Sequence, residues 1–230
     1  MPRFSLRDEE TLVSIIVILT AFLWINVNPQ LGAFYTVATL FYFMPLIAKR
    51  KDFFVEIMTA SQKIIKGVFI ALAVLGIFLI ASTTVLKFTG TEVAMSDFFT
   101  HLNAQTQIPI LSQNPSIRLA TYGVAIPIIE SLFFLSFVLT LAARAFRLRI
   151  QWHKFGTPSF WKMIIVCAVV GATGSLFHMT VRLMADTALL VDFIFFAGSA
   201  LLVFKFRQLF EPILFHILVN SGVLILGGGG

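Results

Sequence analysis

Long apolar runs separated by short polar, mostly basic stretches make up almost the whole chain. Runs close to the roughly 20 residues that cross the hydrocarbon of a bilayer fall at Thr11–Val27, Leu31–Ala48, Gly67–Leu86, Leu119–Ala143, Trp161–Leu183, Thr187–Phe204 and Leu209–Leu226. The pattern predicts an all-α polytopic membrane helix bundle of about seven transmembrane helices. No internal repeat or low-complexity linker divides the chain, so residues 1–230 read as a single integral membrane domain.

Three polar stretches between or before the runs have character of their own. The start, "MPRFSLRDEETLVSIIVILTAFLWINVNPQ", pairs a charged leader with an apolar run but lacks the small-residue cleavage pattern of a secretory signal, which predicts a retained first span. In "KRKDFFVEIMTASQKIIKG", Phe53, Phe54, Ile57, Met58, Ile64 and Ile65 recur at helical spacing beneath a basic face. That is the pattern of an amphipathic helix lying on the membrane interface, an anchor against anionic lipid or a docking helix. The stretch "TEVAMSDFFTHLNAQTQIPILSQNPSIR" is polar but carries Phe98, Phe99 and Leu102, so it either caps the bundle or merely joins two spans.

Composition sharpens the class. The chain is 58% hydrophobic and only 12% charged, with a mean hydropathy of +0.94, far from the ordinary charge content of a soluble domain. The formal charge of +6 carries no nucleic-acid signal, because basic residues flanking spans are what the positive-inside rule requires. With the N-terminus cytoplasmic, 14 of the 17 Lys and Arg fall in cytoplasmic segments and only Lys87, Arg118 and Arg182 do not. The asymmetry predicts a multi-pass protein with its N-terminus cytoplasmic and its C-terminus outside. A single cysteine, Cys167 in an apolar run, excludes an internal disulfide and most thiol metal sites.

Ionisable residues deep in a membrane are costly and mark function by default. Glu130 lies near the middle of the fourth span in "VAIPIIESLFF", three residues after Pro127, which frees a backbone carbonyl. His178 follows the small-residue run of "GATGSLFHMTVR" in the fifth. In "EPILFHILVN", His216 and Asn220 stand four residues apart and so share one helix face. At 1.5 Å per residue, Glu130 lies roughly 16 Å from the outer end of its span, His216 roughly 15 Å, Asn220 roughly 9 Å and His178 roughly 8 Å, so one shared site is feasible. Asp192 and Arg182 are secondary candidates. The competing reading for each residue alone is interhelical hydrogen bonding that merely glues the bundle. Glu130 fits that reading least, since a buried carboxylate is costly unless paired.

The order Glu, then His, then His-x-x-x-Asn on successive spans resembles the CPBP family of intramembrane proteases, which includes CAAX-prenyl endopeptidases and bacteriocin-processing relatives. The resemblance covers Leu119 to Leu226. The family's third motif is intact as His216 and Asn220. Its second, Phe-x-x-x-His, keeps His178 but has Gly174 at the Phe position. Its first, a Glu-Glu pair followed by Arg, keeps Glu130 but has Ser131 and Leu135 in place of the second Glu and the Arg. The resemblance implies an intramembrane endopeptidase acting on a membrane-associated protein or peptide, with Glu130, His178, His216 and Asn220 as catalytic residues. The eroded first motif implies the alternative, a catalytically inactive member serving as subunit or scaffold of a larger membrane complex.

The chemistry follows from residue types as well. Hydrolysis inside a membrane needs a water, a base to activate it and donors for the developing oxyanion. Glu130 with His178 can supply the first function, and His216 with Asn220 the second. A carboxylate and two histidines also form a zinc set by residue type. The metal-free version is preferred, because Glu130 must be the base and no other carboxylate is evident to replace it, so no cofactor is expected. A proton-coupled transporter relaying through Glu130, the histidines and Asp192 is a third class, weakened by the absence of paired half-repeats. The expected partners are the bilayer, a membrane-associated substrate and other membrane subunits, with no nucleic acid.

Overall fold

The structure, a computed structural model, describes residues 62–105, 115–182 and 186–227. The first two predicted spans, Thr11–Val27 and Leu31–Ala48, and most of the amphipathic segment lie outside the described residues. Among the described residues the chain is helical, with no strand element. Helix α1 spans Gln62–Phe88, α2 Phe98–Gln105, α3 Leu119–Ala145, α4 Pro158–Arg182, α5 Asp186–Phe206 and α6 Phe210–Leu226. Helices α1, α3, α4 and α5 are long and apolar enough to cross a bilayer, and α6 is a shorter apolar helix. The five predicted runs that fall on described residues are therefore all helices, within a few residues of their expected bounds.

Local chemistry sets the ends. Helix α1 stops where Gly90 adopts φ +84°, a left-handed conformation that glycine takes without steric cost. The Thr91 and Gly90 N–H groups then fold back onto the carbonyls of Leu86 and Lys87 at 2.9 and 3.1 Å, satisfying acceptors that a helix end leaves open. Helix α4 begins with Pro158, which has no N–H to waste in a first turn, and Thr157 Oγ1 accepts the Phe160 N–H at 3.2 Å as its cap.

Helices α4 and α5 form the closest-packed pair. A methyl group at Gly171 would meet the Phe193 carbonyl at 2.9 Å, and one at Gly174 would overlap the ring of Phe196. Ser175 Oγ donates to the Leu189 carbonyl at 2.7 Å across the same seam. Lipid tails are as apolar as leucine, so burial here is driven by close van der Waals contact and interhelical hydrogen bonds rather than by escape from water. Small residues that let two backbones approach are the means.

The core around α6 is aromatic. Phe78 of α1 meets Phe98, Phe195 and Phe215 edge to face, with ring centroids 5.8, 5.8 and 5.4 Å away. The stretch carrying Phe98, Phe99 and Leu102 caps the bundle: all three are buried, and Asn103 Nδ2 donates to the Gly227 carbonyl at the end of α6 at 2.9 Å. Phe99 sits over Gly222, where any side chain would collide with its ring at 2.8 Å.

Candidate functional site

Helix α3 is irregular where its neighbours are regular. Its backbone runs as a π-helix over Leu119–Ala125, an α-helix over Ile126–Ser131, a π-helix over Leu132–Val138 and an α-helix again over Leu139–Ala145. The Ile126 N–H reaching the Thr121 carbonyl, five residues back, marks the wider register. Pro127 then brings no N–H to the ladder, so a carbonyl one turn back loses its helical donor. Helix α6 covers this gap: Asn220 Nδ2 donates to the Tyr122 carbonyl at 3.2 Å and Ser221 Oγ to the Gly123 carbonyl at 3.4 Å. Gly123 permits the approach, because a Cβ there would stand 2.9 Å from Ser221 Oγ.

Glu130 sits in the short α segment between the two π segments, 4% exposed. Its carboxylate lies between two imidazoles. Oε1 is 3.4 Å from Nε2 of His178 on α4, and Oε2 is 3.4 Å from Nε2 of His216 on α6. Both histidines are 2% exposed. Each is held on its other nitrogen: His178 Nδ1 lies 2.7 Å from Asp192 Oδ2 on α5, and His216 Nδ1 lies 3.0 Å from Ser131 Oγ. The result is a chain of polar groups, Asp192, His178, Glu130, His216 and Ser131, drawn from four helices and closed off by aromatic rings. Phe195 stands 4.6 Å from the His216 ring and Phe196 5.3 Å from the His178 ring, centroid to centroid.

Of the four residues expected to carry chemistry, the structure joins Glu130, His178 and His216 directly. Asn220 lies one turn along α6 from His216, as the spacing requires, and its amide engages the Tyr122 carbonyl. An amide has two N–H bonds, so that contact uses one of them. Asp192, a secondary candidate, is a direct partner of His178. Arg182 ends α4, and its side chain lies outside the described ones, so its place as a secondary candidate rests on the sequence alone.

Two positions at which the sequence differs from the motifs it resembles make contacts of their own. Gly174 stands where the second motif has Phe, and the space above it is filled by Phe196 from the next helix, which packs on both His178 and Phe134. Ser131 stands where the first motif has its second Glu, and its hydroxyl binds His216. Sequence reasoning did not foresee either role. The signal for Asp192 was present: α4 ends at Arg182 and α5 begins at Asp186, so residues roughly equidistant from that junction meet across an antiparallel pair, and 178 and 192 are such a pair.

Among the described residues, no group of three or more His, Cys, Asp or Glu has the geometry to hold a metal ion. A further buried carboxylate, Glu211 in the first turn of α6, accepts a hydrogen bond from the Gln208 side-chain amide. Its place at a helix N-terminus is electrostatically favourable. Comparison of the chain with family models, with curated proteins and with solved structures finds no match.

Proposed function

We propose that this protein is an intramembrane endopeptidase of the CPBP type, cleaving a membrane-associated protein or peptide. The observation that carries the proposal is the Glu130 carboxylate lying 3.4 Å from Nε2 of both His178 and His216 inside an apolar bundle. In this mechanism a water bound beside Glu130 and His178 gives a proton to the carboxylate while its oxygen attacks the peptide carbonyl. His216 and Asn220 donate hydrogen bonds to the oxyanion that forms, with the Tyr122 carbonyl orienting the Asn220 amide. The proton held by Glu130 then passes to the leaving nitrogen as the C–N bond breaks, which regenerates the carboxylate. In the bilayer the bundle has about seven spans, with the N-terminus cytoplasmic and the C-terminus outside.

The test compares purified parent and Glu130→Gln protein against a library of membrane-associated peptides, with folding followed in parallel. Glutamine keeps volume and hydrogen-bonding capacity but removes the base, so cleavage should fall by about 10² to 10⁴, the usual share of general-base catalysis, with abundance unchanged. Chelators should leave the parent's activity intact, and activity lost to chelation and restored by zinc would move Glu130 from base to ligand. A parent that cleaves nothing, or a Gln variant that cleaves equally well, would remove the proposal.

A second reading, a catalytically inactive member of the same type acting as subunit or scaffold, draws on two observations. Leu135 at the position of the motif's Arg is buried and apolar, and the Asn220 amide is spent partly on the α3 backbone. Under this reading, substitutions in the site alter helix packing or partner association and the parent shows no cleavage.

A further inference from the structure

We infer that Asp192 is a positioning residue for His178, fixing the imidazole in the tautomer that carries its proton on Nδ1 and so directing the unprotonated Nε2 toward Glu130. The inference rests on the protease reading for its role in the reaction, but the tautomer itself is independent of any activity.

The geometry gives the reason. Asp192 Oδ2 lies 2.7 Å from His178 Nδ1, a distance typical of a charge-assisted hydrogen bond, whereas Glu130 Oε1 lies 3.4 Å from Nε2, near the outer limit for a direct one. A carboxylate only accepts, so the short contact places a proton on Nδ1. With that proton fixed, a neutral imidazole presents its lone pair at Nε2. Two acceptors then face each other across 3.4 Å, and they are reconciled by one proton shared between Glu130 and Nε2 or by a water donating to both. The second arrangement is the one a general-base pair needs, because the water's proton then has an acceptor on either side. The opposite tautomer would set the Nδ1 lone pair against the Asp192 carboxylate in a site where both side chains are largely shielded from solvent. Phe196 and Phe177 flank the His178 ring at 5.3 and 5.9 Å and keep it from turning. Asp192 gains and loses no proton in this scheme. It acts through His178.

Histidine-selective nitrogen NMR of the full chain in lipid nanodiscs reads the tautomer directly, with His178 and His216 distinguished by a His216→Gln sample. In the parent, His178 should show a protonated Nδ1 with a strongly deshielded proton. In Asp192→Asn, whose amide can present either an acceptor or a donor, that proton should lose its deshielding and the ring should populate both tautomers. Asp192→Glu should restore the parent pattern in part. An unprotonated Nδ1 in the parent would overturn the inference without any variant being needed, and so would a folded Asn variant with an unchanged His178 spectrum. Where the parent cleaves peptides, Asp192→Asn should lower kcat by roughly 10² to 10⁴ with KM nearly unchanged, the signature of a misdirected base. A parent that cleaves nothing removes the protease reading and leaves the tautomer to stand or fall on the spectra.

Discussion

Helices α4 and α5 are regular, tightly paired and joined by small residues, whereas α3 beside them alternates between α and π registers and is patched from outside by α6. The regular pair supplies precision. Its backbones lie close enough that Gly174 has room for nothing but Phe196, and this rigidity holds His178 and Asp192 2.7 Å apart. The irregular helix supplies placement. Two π segments flank Glu130, and on its N-terminal side, where Pro127 brings no N–H, the Tyr122 and Gly123 carbonyls become attachment points for Asn220 and Ser221. A site assembled from both kinds of helix sets a carboxylate of the irregular helix between imidazoles of regular ones, and π segments recur at functional sites.

The comparison breaks most visibly at the tight seam. Gly174→Phe drives one ring into another and should lower stability by about 3 kcal/mol through overpacking. Adding Phe196→Ala should recover at least half of that loss, measured by thermal unfolding in detergent. The equally large Ala172→Phe, on the exposed side of α4, should cost less than about 0.5 kcal/mol. Equal losses at both positions would show that the seam is not specially tight.

Asn220→Ala probes the patch between α6 and α3. One interhelical hydrogen bond in a membrane is worth about 1 kcal/mol, so stability should fall by that amount. Under the proposed protease mechanism cleavage should fall further, by about 10² to 10³, because Asn220 is there one of two oxyanion donors. A stability loss with full cleavage retained would reduce Asn220 to a fastener of α3.

The smallest effect sharpens the account of the irregular helix itself. Pro127→Ala returns one N–H to the ladder of α3, so the carbonyl that the proline left without a helical donor regains one. The penalty of Asn220→Ala should then shrink by about 0.5 kcal/mol in a double-mutant cycle. Strict additivity would mean that the proline and the asparagine do not address the same backbone gap.

How much of this was legible in the sequence depends on the kind of contact. The helices were, because bilayer-spanning apolar length is a property of the chain alone, and all five runs on described residues became helices. The grouping of Glu130, His178 and His216 was legible too, because charge inside a span needs a partner and axial depth can be counted at a fixed rise per residue. What could not be read were substitutions across space. Phe196 fills the place left by Gly174 from another helix, and Ser131 holds His216 from a position where the family pattern asks for a carboxylate. The π registers of α3 were equally hidden. Pro127 announced a missing donor, but an extra residue per turn on both sides of Glu130 depends on what packs around the helix rather than on local propensity.

Helix α6, which carries two of the proposed catalytic residues, has 17 residues and so rises about 25 Å, while α1 beside it has 27 and rises about 40 Å. The hydrocarbon layer is about 30 Å thick, so one member of the bundle is too short for it and its neighbour too long. Tilting accommodates the long helix, but the short one is matched only by lipid that thins around it or by flanking groups that reach outward, at a fraction of a kcal/mol per ångström. The two lengths cannot both match one bilayer thickness, so α1 must tilt or protrude where α6, the helix of His216 and Asn220, falls short of a boundary.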